Sequence, residues 1–247
     1  MTKVFYRTMR PFENKGYYGV DEYIKDPKYA EKSWEYIKAF ELIQKDLINI
    51  FDFIEPSEEN LTCYSFRIHE LFLRSCVEIE ANFKAILKAN SYVKKKEEYW
   101  NMGDYEILAN THNLASYTVK VPYSHDVWAT RKPFAEWPNE KLPWYGGYNA
   151  IKHSRVEHFT QSNLGNLLDA VCGLLVILSA QFYTNTARVH AGAIRFSSND
   201  SIQNQLALGN YFLITFPSLD TWGRKKYTQN ITDGFEFTNL VFDTKQS

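Results

Sequence analysis

SFRIHELFLRSCVEIEANFKAIL, residues 65–87, is the stretch whose reading decides the fold. Ile68, Phe72, Cys76, Ile79, Phe83, Ile86 and Leu87 recur at three- and four-residue intervals, which gathers them on one face of an α-helix. The pattern predicts a helix from about Thr62 to Asn90. Arg67, Leu71, Arg74 and Glu78 form a stripe bordering that face, with Arg74 four residues from both Glu70 and Glu78. Two readings of the stripe stay open: a solvated, salt-bridged face, or Arg74 and Glu78 turned toward a second polar cluster further along the chain.

Outward from this helix, the chain reads as a bundle. Lys32 to Ile54 carries Trp34, Ile37, Phe40, Leu42, Ile43, Leu47, Ile50 and Phe51 at helical spacing, and Glu55-Pro56-Ser57 stops it because proline lacks the donor that would continue the helix. Asn163 to Tyr183 is apolar enough to be the bundle centre, preceded by the capping side chains of Thr160-Gln161-Ser162-Asn163. The uncharged run from Ala170 to Ala187 is about a membrane span in length, but Asn163, Asn166, Asp169, Ser179, Gln181, Thr184 and Asn185 punctuate the run and its neighbours and no basic cluster follows. A central buried helix is expected, and no membrane partner.

The remainder breaks the helical pattern. The first 28 residues read as an irregular arm. Within 94–143, Lys94 to Glu98 is a charge run, Tyr117 to Pro122 alternates as a short strand, and Pro133, Trp137, Pro138, Pro143 and Trp144 form a connector expected to lie as a lid over the bundle. Tyr211–Phe216 and Phe235–Phe242 are strand candidates for a C-terminal hairpin. The expected organisation is an arm (1–28), a helical bundle (29–190) with a β/loop insertion (94–143), and a β-containing tail (191–247). The fold class is mainly α.

Composition narrows function without naming it. A net charge of −1 gives no global cationic field, so any nucleic-acid contact must be local. Seventeen Tyr, seventeen Phe and six Trp supply core and also suit stacking surfaces. Cys63, Cys76 and Cys172 lack metal-ligand spacing and read as small core residues of a reducing compartment; with MTKVFYRTMRPF lacking the apolar run of a signal peptide, a cytoplasmic protein is expected. Glycine-rich phosphate loops, zinc signatures and nucleophile elbows are absent from the sequence, and neither a metal nor another cofactor is expected.

Polar chemistry concentrates in WYGGYNAIKHSR, residues 144–155. A helix should start between Pro143 and Gly147 and end between Arg155 and Phe159. On it Asn149 and His153 are four apart on one face, with Tyr148 and Lys152 paired alongside. RNA cleavage by a ribose 2′-hydroxyl needs a group titrating near neutrality, which His153 supplies, and a cation for the developing phosphorane charge, for which Lys152, Arg155 and Arg74 qualify. The alternative is a non-catalytic scaffold in which Asn149 and His153 form a polar network between helices.

SFRIHELFLRSCVEIEANFKAIL, YNAIKHSR (148–155) and SNLGNLLDAVCGLL (162–175) together resemble a group of uncharacterised bacterial proteins and, more remotely, the HEPN (higher eukaryotes and prokaryotes nucleotide-binding) helical superfamily. The resemblance covers about residues 30–185. It implies a bundle of four or more helices, a homodimer, and action on RNA or a nucleotide in phage defence or as a toxin. Active members carry an Arg, a polar residue, three or more residues and a His. Asn149 to His153 fits the polar residue, the spacing and the His, while Tyr148 stands at the Arg position. The resemblance thus implies His153 as general acid or base with Asn149 orienting it, Lys152, Arg155 and Arg74 as phosphate ligands, and Tyr148 and Glu78 in support.

Overall fold

The computed structural model describes residues 6–12, 16, 27, 29–92, 96–123, 128–182, 205–226, 228–230 and 236–238. The three expected long helices form the bundle: α1 (Ser33–Phe51), α2 (Phe66–Ala89) and α6 (Leu164–Phe182). On α1, Phe40, Ile43 and Leu47 are buried; on α2 the whole expected apolar set is buried, together with His69 and Asn82. From Leu167 to Phe182, α6 is buried at all positions but Asp169. Neighbouring elements already cover this one described helix that is long and apolar enough to cross a membrane.

Local chemistry sets the helix ends. The start of α2 falls at Phe66, later than periodicity suggests, because Leu61 and Cys63 direct their carbonyls to Gly165 N and Leu164 N, each at 2.9 Å. Ser65 then caps α2 by accepting from Ile68 N at 3.2 Å. Asn163 caps α6 by accepting from Asn166 N at 2.9 Å, as its capping chemistry predicts. Helix α4 (Pro143–His153) opens on proline at its first turn and ends at Ser154, whose φ of −145° and ψ of 82° leave the helical region. The expected continuation to Arg155–Phe159 is therefore broken: α5 (Arg155–His158) is a separate short helix.

The insertion holds a helix that periodicity does not announce, α3 (Met102–Thr111), closed at its start by a capping box between Asn101 and Asp104. It also holds strands β1 (Thr118–Pro122) and β2 (Trp128–Arg131). With β3 (Gln205–Leu206) and β4 (Leu213–Thr215) they make an antiparallel sheet in the order β2-β1-β4-β3. The expected partner of Tyr211–Phe216 is thereby corrected: this segment pairs with β1, Val119 opposite Ile214, because both residues have a buried face to complete. The second expected strand overlaps β6 (Glu236–Thr238), whose hairpin partner is β5 (Thr228–Asn230).

The proline and tryptophan connector is wedged into the core rather than laid over it. Phe134 and Trp137 are buried against Phe83, at ring separations of 6.4 and 5.8 Å, and Trp144 donates its indole N–H to Pro133 O at 3.0 Å. Of the N-terminal arm, residues 7–12 are buried and belong to no helix, with Met9 N bonded to Ala180 O and Arg7 stacked on Tyr36 and Phe182. Arm positions 1–5, 13–15, 17–26 and 28, and Lys94 and Lys95 of the charge run, lie outside the described residues, as does 183–204.

Candidate functional site

Tyr145, Asn149 and Lys152 follow one another at four and three residues along α4, so they share a face. Opposite them stand Glu80 and Lys84, four apart on α2. Trp100, Asn101, Met102 and Tyr105, at the entry to α3, close the third side. These nine residues line a cavity of about 410 Å³, within the range of small-molecule sites. Asn101 is fixed there by its cap: it accepts from Gly103 N at 3.0 Å, while Asp104 accepts from Asn101 N at 3.0 Å and from Tyr92 OH at 2.9 Å.

Glu80 is the hub of the inner wall. Tyr145 donates its hydroxyl to Glu80 Oε1 at 2.8 Å, and the Tyr148 phenol lies within the field of the same carboxylate. Burial first, and the carboxylate second, push both phenols far above their ordinary value, so both stay protonated donors. Tyr105 is raised by burial and by Glu80 and Asp104. Two cations face this arrangement. Lys152 Nζ sits 5.2 Å from the centroid of the Tyr148 ring, and neither Lys152 nor Lys84 forms an ion pair among the described residues. With Glu80 accepting from Tyr145 and forming no ion pair with either lysine among the described residues, the cavity has cationic and amide donors available to an anion.

The structure brings Asn149 and Lys152 to this cavity together with Tyr148 behind its wall. His153 is exposed at the last position of α4, one turn beyond Asn149. Neither the Asn149 nor the His153 side chain makes a hydrogen bond among the described residues. Arg155, beyond the break at Ser154, is aimed instead at Phe66, with its guanidinium carbon 5.6 Å from the ring centroid.

Arg74 and Glu78 are placed elsewhere. Arg74 pairs with Asp46 of α1 and lines a separate groove of about 640 Å³ between α1 and α2 with Asn49, Ile50, Phe53 and Leu71. Glu70, the expected partner of Arg74, pairs with Arg67 at 3.2 Å. Glu78 is half-buried; burial lifts its carboxyl above the ordinary range and Arg74 opposes the lift. The helical stripe of Arg67, Arg74 and Glu78 thus serves the α1 flank, and Glu80 and Lys84, two and six residues beyond Glu78, serve the α4 flank.

Three contributors were not singled out from sequence. Glu80 and Lys84 look like any solvated pair on an amphipathic helix, although their four-residue spacing was readable. The wall from Trp100 to Tyr105 was signalled only by the Asn101-x-x-Asp104 capping pattern. His69, on the buried face of α2, has Nδ1 2.8 Å from Ser162 Oγ and the Phe159 ring 5.6 Å away, which ties α2 to the turn before α6. Burial, then Arg155, lowers its pKa, with Glu70 opposing.

Among the described residues no group of three or more His, Cys, Asp or Glu is placed to hold a metal ion. No family model matches the chain, and no match is found among curated proteins or solved structures.

Proposed function

We propose that the protein is a HEPN-like, RNA- or nucleotide-directed bacterial protein, and that the cavity between α2, α3 and α4 receives a phosphate of its ligand. The observation that carries this reading is the pair Lys84 and Lys152, unpaired by carboxylates among the described residues, beside the amides of Asn101 and Asn149. Ammonium groups act as point charges for phosphate, and the Trp100 and Tyr145 rings beside them suit a base. His153, at the exposed end of the same helix, then moves the proton between the attacking ribose 2′-hydroxyl and the leaving 5′-oxygen, Asn149 orients the ribose, and the two lysines hold the phosphorane charge. Arg155, at the Phe66 ring, lies outside the lining of this cavity. Arg74, held by Asp46, takes no part in this version of the site.

The scaffold reading assigns Asn149 and His153 to pinning helices. Against it, the side-chain pins between helices are Tyr145 on Glu80 and His69 on Ser162. The reaction is tested by incubating single-stranded RNA with wild type, His153→Ala and Lys152→Ala. The histidine variant should lose at least about a hundredfold in cleavage rate, the usual contribution of a positioned acid or base. Equal rates for wild type and His153→Ala would remove the catalytic assignment.

A further inference from the structure

Tyr64 and Phe66 are large aromatic side chains left 51 and 61% exposed at the entry to α2. Phe159 packs between them, 5.6 Å from Tyr64 and 4.7 Å from Phe66, and its own ring is backed by His69 at 5.6 Å. The cluster is held by backbone: Tyr64 is bridged to Asn163, Ser65 caps α2, and Cys63 accepts from Leu164 N at 2.9 Å. Rings held open on so fixed a frame lose little freedom when something stacks on them. Arg155 lies over one edge, 5.6 Å from the Phe66 centroid.

Resting on the RNA reading of the cavity, we propose that this aromatic corner is a stacking platform for bases of a single-stranded RNA whose phosphate occupies the Lys84 and Lys152 cavity. The two places lie at either end of one continuous stretch, from Asn149 and Lys152 through His153 to Arg155. His153 stands between them along the chain. Local charge favours a polyanion: Arg67 is neutralised by Glu70 at 3.2 Å, which leaves Lys152 and Arg155 against Glu157 alone along residues 152–158. Exposed rings beside unpaired cations are the combination by which single strands are held without base-specific contacts.

The test compares uridine 5′-monophosphate, by calorimetry, with a labelled eight-nucleotide oligouridine, by anisotropy. The oligomer should bind at least about tenfold more tightly than the monophosphate. Tyr64→Ala and Phe66→Ala should each weaken the oligomer by about tenfold and leave the monophosphate unchanged, and Phe66→Trp should keep the oligomer affinity. Monophosphate binding with no gain on lengthening, or an oligomer affinity indifferent to both alanine variants, overturns the platform alone and leaves the exposed rings to a protein partner. Failure of both ligands to bind overturns the cavity reading and the platform with it.

Discussion

Glu80 is a carboxylate that accepts from the Tyr145 phenol and, second to burial, raises the Tyr148 phenol beside it, and this sets the character of the candidate site. It accepts from Tyr145 and forms no ion pair with Lys152 among the described residues; the lysine rests on the Tyr148 ring face instead. Tyr145→Phe deletes one donor to a half-buried carboxylate and should lower stability by about 1 kcal/mol in urea unfolding. His69 provides a second test. Its folded pKa lies below the ordinary value of 6.5, so the unfolded chain binds its proton more readily. Stability is then fully present above about pH 6.5 and falls as pH drops through the lowered folded value. Thermal midpoints measured between about pH 8 and pH 5 should show this decline in wild type, and His69→Gln should flatten it. The residues that carry these effects were unevenly legible. Asn149 and Lys152 stand out in sequence because several polar side chains crowd one short segment. Glu80 and His69 do not, since their meaning depends on Tyr145 and Ser162, which reach them only in the fold.

At the scale of elements, legibility follows how one-sided each segment is. Helices α1 and α2 were readable because their apolar residues repeat at helical spacing, and α6 because its apolar run is uninterrupted by charge. The shorter α3 was not, because its buried set is Asp104, Tyr105, Leu108 and Ala109, half of it polar or small. Strand β4 was readable as a strand, but its pairing with β1 depends on the chain returning from far along the sequence. What docks that return is a tight turn on α1: Gln44 Nε2 donates to Gly209 O at 2.8 Å. Gly209 has φ of +78°, and a Cβ there would run into the side-chain amide of Gln44. Gly209→Ala should therefore cost about 2 kcal/mol, through both the backbone and the clash. A thermal melt indistinguishable from wild type would contradict this docking.

For the whole molecule, the buried polar pairs and the apolar central helix leave a rigid frame around a cavity whose donors remain available. Arg131 holds the sheet to α6 through Asp169 at 3.5 Å and donates to Tyr123 OH, just beyond β1, at 2.9 Å. Arg131→Ala, by stranding a half-buried carboxyl, should lower stability by about 2 kcal/mol in the same unfolding assay without changing ligand affinity. Such a variant separates loss of frame from loss of site. The central claim is that the frame presents Lys84 and Lys152 to phosphate. It is tested most directly by calorimetric titration of uridine 5′-monophosphate into wild type and into the Lys84→Ala, Lys152→Ala double variant at low salt. The account predicts saturable binding by wild type, weakened at least tenfold in the variant at an unchanged melting temperature. Binding of equal strength to both proteins, or none to either, would contradict it.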